Sequence, residues 1–247
     1  MPLQILPPDG SALYTETNML NLFPEPWNMV TSALFLIPAI YWLIKFKGFD
    51  KRHSFLSVAV WLMLTGCIGS TFYHGFRQYR FFMYLDWVPI ALLCLLASVY
   101  FITKVTGKWV YGIVALAAFG VTELILHELY LVYDKHIMFS LNYGAMVLMI
   151  VLPLFLLLVK TKWRNGWLVG GAFVFFSLAL FFRIIDGWGW LPIGTHFLWH
   201  TLGAVATSFI FLFIYRLNTF GYIKNTLIEE GRVLKLYQTE VPEKTAS

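Results

Sequence analysis

The sequence predicts an all-α membrane protein with seven transmembrane helices, and three observations lead there. Only 13% of the 247 residues are charged while 59% are hydrophobic, whereas a soluble domain carries about 25% charged residues. A chain of this size cannot bury so much apolar surface within itself, so lipid must solvate much of it. Apolar stretches of about 20 residues, the length that crosses a bilayer as a helix, recur along the chain with short connections between them. The basic residues also fall mainly on alternate connections, as they do in multi-pass proteins.

Residues 1–27 contain Pro, Asp and Glu but no Lys or Arg and no long apolar run. This pattern argues against a cleaved signal peptide and for an external N-terminal segment. Apolar stretches then follow at 28–46, 54–74, 81–103, 109–130, 137–159, 166–186 and 194–216, so residues 28–216 read as one transmembrane domain. Residues 217–247 are polar and mixed in charge, the composition of a solvated tail. Linkers, low-complexity segments and internal repeats are not evident.

Orientation follows from the 18 basic residues. Fourteen (Lys45, Lys47, Lys51, Arg52, Lys104, Lys108, Lys160, Lys162, Arg164, Arg216, Lys224, Arg232, Lys235 and Lys244) fall on the first, third and fifth connections and the tail. Four (Arg77, Arg80, Lys135 and Arg183) fall on the other side. The N-terminus is therefore expected outside or in a lumen and the tail in the cytoplasm. The net charge of +5 reads as this topology signal rather than as affinity for nucleic acid. Cys67 and Cys94 lie inside apolar runs; two cysteines do not indicate a disulfide framework, they exclude a Cys-rich metal site, and they read as small buried hydrophobes.

Polar residues inside the apolar stretches are few, and five of them share one depth. His196 and His200, four apart near the start of the seventh stretch, stack on one helix face about 6 Å apart, close enough to hold one ion. His74 closes the second stretch with Ser70 one turn deeper. Asp86 lies within two turns of the start of the third. The topology puts all five near the non-cytoplasmic face, although random scatter across about 30 Å of membrane would seldom do so. Imidazoles inside a membrane need a partner.

Three neutral imidazoles suit zinc and leave a fourth position open, the pattern of a catalytic centre. Asp86 is the carboxylate available for proton transfer, and the Ser70 hydroxyl is placed to support a developing oxyanion. Plainer alternatives stay open. Each histidine can be a packed, hydrogen-bonded residue, Asp86 can pair with Arg183, and Ser70 can bond its own helix backbone. His53, His127 and His136 flank loops and read as structural or solvated, and Glu123 and His127, four apart, can satisfy each other.

Ser70-x-x-x-His74, Asp86 and His196-x-x-x-His200 on seven helices resemble the alkaline ceramidase family, within a superfamily of membrane hydrolases that includes the adiponectin receptors. The similarity runs from residue 13 to the end of the seventh helix. It implies hydrolysis of the ceramide amide to a sphingoid base and a fatty acid. By the same resemblance His74, His196 and His200 match zinc ligands, Asp86 the catalytic carboxylate and Ser70 the transition-state serine. Glu25-Pro26-Trp27-Asn28 resembles the family's Glu-Phe-Trp-Asn. Tyr14, Glu16, Asn18 and Glu25 align with a segment that binds calcium there, and three of them supply hard oxygen donors; they also read simply as an acidic external segment.

The chain departs from the family pattern at several places. Leu13 stands where the family has an Asp calcium ligand, and the loop from Asn18 to Glu25 is shorter. Phe197 and Leu198 replace Ala-Trp between the paired histidines, Trp87 follows Asp86 in place of Glu, and Arg183 and Ile184 replace Trp and Asn near Asp186. None removes a metal ligand, so they bear on the substrate more than on the chemistry. Competing readings are a receptor of the adiponectin-receptor type with structural zinc, a lipid-remodelling esterase of the same superfamily, and a haem-binding electron carrier with histidines as axial ligands. The short external N-terminus counts against the receptor. The membrane is either a bacterial inner membrane or eukaryotic endoplasmic reticulum or Golgi.

Overall fold

A computed structural model describes residues 6–11, 13–130 and 135–220, with side-chain surroundings given outside 126–127, 129–130 and 135–146. The described residues are helical, with no strand among them. The helices are α1 (Pro26–Ser32), α2 (Leu36–Phe46), α3 (Ser54–Phe76), α4 (Arg80–Thr106), α5 (Trp109–Tyr130), α6 (Lys135–Lys160), α7 (Gly166–Ile184) and α8 (His196–Thr219). A 3-10 turn, Ala33–Phe35, joins α1 to α2 within a single rod. Pro38 has no N–H to close an α-turn on Leu34, and the backbone tightens just ahead of it.

Five helices are long and apolar enough to cross a membrane: Pro26–Phe46, Lys51–Phe76, Arg80–Thr106, Gly166–Ile184 and His196–Thr219. The apolar described parts of the other two rods, Trp109–Ile125 and Val147–Lys160, are shorter. Seven crossings are thus matched by five among the described residues. Large apolar side chains such as Ile37, Ile44, Trp61 and Phe173 point outward from these helices, as lipid-facing positions do. The tail from 221 onward, and the side chains of His127 and His136, lie outside the described residues.

Helix order in space explains how distant segments meet. The α1–α2 rod lies between α3 and α8, while α4 packs on α3, α5 and α6, and α7 packs on α8. At one end of the bundle Trp42, Phe46, Leu56, Val60, Phe213 and Ile214 form a buried apolar core. There His53 is buried and structural, bonded through Nδ1 to Asp50 at 2.6 Å and stacked on Tyr215 at 4.8 Å. Cys67 is buried and unpaired, and Cys94 is a half-buried free thiol.

The opposite end gathers the C-terminus of α3 and the N-termini of α1, α4 and α8. Residues 6–11 and 13–25 fold back onto this end, and Asp9 and Glu25 are buried there. Helix α3 ends at Arg77, in the left-handed region at φ 53°, and α4 starts three residues later. The two helices cross closely at Gly69. A Cβ added there would stand 2.5 Å from the Leu85 carbonyl carbon, so only glycine allows Ser70 and Asp86, the next residues on each helix, to face one another.

Candidate metal centre

His74 from α3 and His196 and His200 from the first turns of α8 converge as expected. One nitrogen of each ring lies within 4.8 Å of the others, and all three residues are buried. Ring centroids stand 4.9 Å apart for His196–His200, 4.9 Å for His74–His200 and 5.4 Å for His74–His196. His74 Nε2, His196 Nδ1 and His200 Nε2 are buried with no hydrogen-bond partner. Buried polar atoms are normally satisfied, and each that is not calls for an explanation. Three unpartnered ring nitrogens in one cluster are explained together by a metal ion, and these residues can hold one.

The tautomer of His74 can be derived. Its Nδ1 lies 2.5 Å from Glu25 Oε2. A carboxylate only accepts, so Nδ1 carries the proton and Nε2 keeps its lone pair for a cation. Glu25 is fully buried between α1 and α3. Its other oxygen accepts from Arg77 and, at 2.6 Å, from the Thr17 hydroxyl. Burial works against its charge, but His74 and Arg77 hold the carboxyl below its ordinary range.

Arg77 is itself fully buried. It donates to Asp9 Oδ2 through Nε at 2.8 Å and to Ser11 Oγ through Nη2 at 2.6 Å, besides its bond to Glu25. The guanidinium also lies 4.8 Å from the Tyr73 ring centroid. One fixed cation thus neutralises Asp9 and steadies Glu25, and the remaining negative charge faces His74. Sequence reading missed Arg77 and Asp9 because they lie 68 residues apart. The one available signal was Arg77 standing one turn beyond His74.

Helix α8 is set by a carboxylate from outside it. Asp186, in the 3-10 turn after α7, accepts through Oδ1 from the N–H of Thr195 at 2.7 Å and of His196 at 2.8 Å. Its Oδ2 accepts from Thr15 N at 2.9 Å. Thr195, at the N-cap position, makes no side-chain cap of its own, because its hydroxyl donates to Phe182 O at 2.6 Å. Gly194 adopts φ +71°, and a Cβ there would collide with both Asp186 and Thr15. The same chain segment lays Tyr14 over the cluster, stacked on His196 at 4.0 Å and 5.3 Å from His74.

Asp86 and Ser70 flank the histidines. Asp86 is half-buried on α4, and the α3–α4 crossing at Gly69 places it across from Ser70. It makes no salt bridge to Arg183 among the described residues. Ser70 bonds across to Ser32 at 3.0 Å rather than back to its own helix. Ser32 donates its proton to Asn28 O at 2.7 Å, so Ser70 is the donor in that pair.

The residues aligned with a calcium-binding segment have the following partners. Glu16 accepts from the N–H of Trp27 at 2.5 Å and of Asn28 at 2.9 Å, capping α1. Burial raises its carboxyl above the ordinary range, and those two amides offset part of the rise. Asn18 Oδ1 accepts from Leu20 N at 3.0 Å, Tyr14 stacks on His196, and Glu25 turns inward to His74. Among the described residues the three histidines form the one group of three or more His, Cys, Asp or Glu that can hold a metal. No family model matches the chain, and no curated protein matches it either.

Proposed function

We propose that this protein is a zinc-dependent hydrolase of seven membrane spans, N-terminus outside, that cleaves the amide of ceramide or a related long-chain N-acyl lipid. One observation carries the reading: three buried imidazoles from two membrane helices, each with an unpartnered nitrogen, beside a carboxylate and a hydroxyl. A site at this depth suits a substrate whose chains stay in the bilayer.

His74, His196 and His200 hold the ion, which when bound supplies a Lewis acid and a water of lowered pKa. Glu25 keeps His74 in the ligating tautomer, and Tyr14 and the N-terminal segment shield the cluster from bulk water. Asp86 accepts a proton from the attacking water and delivers it to the leaving nitrogen. Rotation about one bond turns the Ser70 hydroxyl from its resting acceptor, Ser32, toward the carbonyl oxygen as charge grows there.

The test is metal analysis of detergent-purified protein, wild type beside His200→Ala, with ceramide turnover on the same samples. About one zinc per chain, lost together with turnover in the variant, is the expected result. Zinc without turnover of any lipid amide would overturn the amidase in favour of an esterase or a receptor. Absence of any bound metal would overturn the site.

A further inference from the structure

Arg183 is the single charged residue of α7 and sits in its last turn. It is exposed, yet no carboxylate lies within ion-pair distance of it among the described residues. Neither of the two obvious candidates pairs with it. Asp186 caps α8, and Asp86 makes no ion pair with the guanidinium.

The guanidinium is not turned away from the protein. It lies over the Trp199 ring, 4.9 Å from the centroid, and Trp199 immediately precedes His200 on α8. A long cationic side chain at the end of an apolar span normally extends to the interface. Cation–π attraction to Trp199 instead holds it against the first turns of α8, the helix that carries His196 and His200.

We propose that Arg183 recognises an anionic group on the amine half of the substrate, so the preferred substrates are long-chain N-acyl lipids bearing a carboxylate, phosphate or sulfonate close to the amide. This rests on the amidase reading and, within it, favours the related N-acyl lipids over ceramide, whose amine half carries no anion. The acyl chain belongs among the apolar helix faces, whereas the polar half must sit toward the membrane boundary, where the last turn of α7 lies. Guanidinium is the side chain best suited to hold such a group, through paired N–H donors. In the reaction water adds across the amide C–N bond: hydroxyl goes to the acyl carbon, the proton goes to nitrogen, and the anion stays on the released amine.

The matched probes are N-oleoyl glycine and N-oleoyl ethanolamine, which share acyl chain and amide and differ by a carboxylate. Both are assayed in neutral detergent micelles, so no charged lipid surface contributes, with wild type, R183Q and R183K. A charge-assisted hydrogen bond predicts that kcat/KM of the wild type favours the glycine amide by about 10-fold to 100-fold. The ratio should fall toward one in R183Q and be partly kept in R183K, with both variants matched to wild type in zinc content and thermal unfolding. Equal use of the two amides by wild type, or an unchanged ratio in R183Q, would overturn the proposal. So would a wild-type ratio near one with oleate inhibition relieved in R183Q, which would assign the guanidinium to the product carboxylate. If zinc-loaded wild type hydrolyses neither amide, the amidase reading fails, and equilibrium binding of the same two lipids decides the rest. A carboxylate preference lost in R183Q keeps Arg183 as the recognition residue, and no preference removes it.

Discussion

Glu25 Oε2 accepts the Nδ1 proton of His74 at 2.5 Å, while its other oxygen is tied to Arg77. The bond fixes which nitrogen of His74 faces the neighbouring histidines and makes that nitrogen a better donor to a metal. Glu25→Gln keeps an acceptor of the same shape and removes the charge. Its zinc affinity, measured by competition with a chelator, should fall by about 10-fold to 100-fold. Unchanged affinity in a folded Glu25→Gln protein would show that the carboxylate serves packing alone.

Asp186 satisfies three backbone N–H groups from two distant segments, at Thr15, Thr195 and His196. Asp186→Ala leaves buried donors unmatched at the start of α8, a loss of about 2–3 kcal/mol. Asp186→Asn keeps one carbonyl oxygen and should lose less. Thermal unfolding in detergent checks the order, wild type above Asn above Ala. If the alanine variant melts with wild type, the cap is not what holds α8.

Much of this was legible in the sequence, and the reason is local. The rods follow the apolar stretches almost residue for residue, as with 109–130 and α5 (Trp109–Tyr130), because both are set by where apolar runs meet basic or Gly-rich connections. The histidine trio was legible because helical spacing and membrane depth are themselves sequence properties. The segment before α1 was not. Asp9 meets Arg77, and Thr15 meets Asp186, across 68 and 171 residues, and no periodicity encodes such contacts. Glu16, Asn18 and Glu25 read as hard oxygen donors, and that composition does not encode their partners here: the amides of α1, the Leu20 N–H, and the His74–Arg77 pair.

Helices α3 and α4 approach at Gly69, where a Cβ would meet Leu85 at 2.5 Å. Gly69→Ala must push them apart beside Ser70 and Asp86, with a stability loss of about 1–3 kcal/mol. Lipid hydrolysis should fall further than zinc content, since the ligands lie a turn beyond the crossing. Gly120, with nothing within 4 Å of an added Cβ, is the control, and Gly120→Ala should be neutral or slightly stabilising. Equal behaviour of the two variants would mean that the crossing tolerates a methyl group and does not set the Ser70–Asp86 geometry.

Asp9 gives the N-terminal segment a predictable response to acid. Burial pushes its carboxyl up, but hydrogen bonds from Arg77 and Ser11 outweigh it and hold the group below its ordinary value of 3.8. A group depressed in the folded state contributes stability above its unfolded value and loses it as pH falls through the folded one. The Asp9–Arg77 contribution is therefore intact above about pH 4 and fades below it. Asp9→Asn should be less stable than wild type at neutral pH, because a buried Arg77 loses one of its two carboxylates. The difference between the two proteins should shrink as the pH is lowered below about 4. Thermal unfolding of both across pH 7 to 3 reads this directly, and a difference that stays constant through the range would place the stabilisation somewhere other than this ion pair.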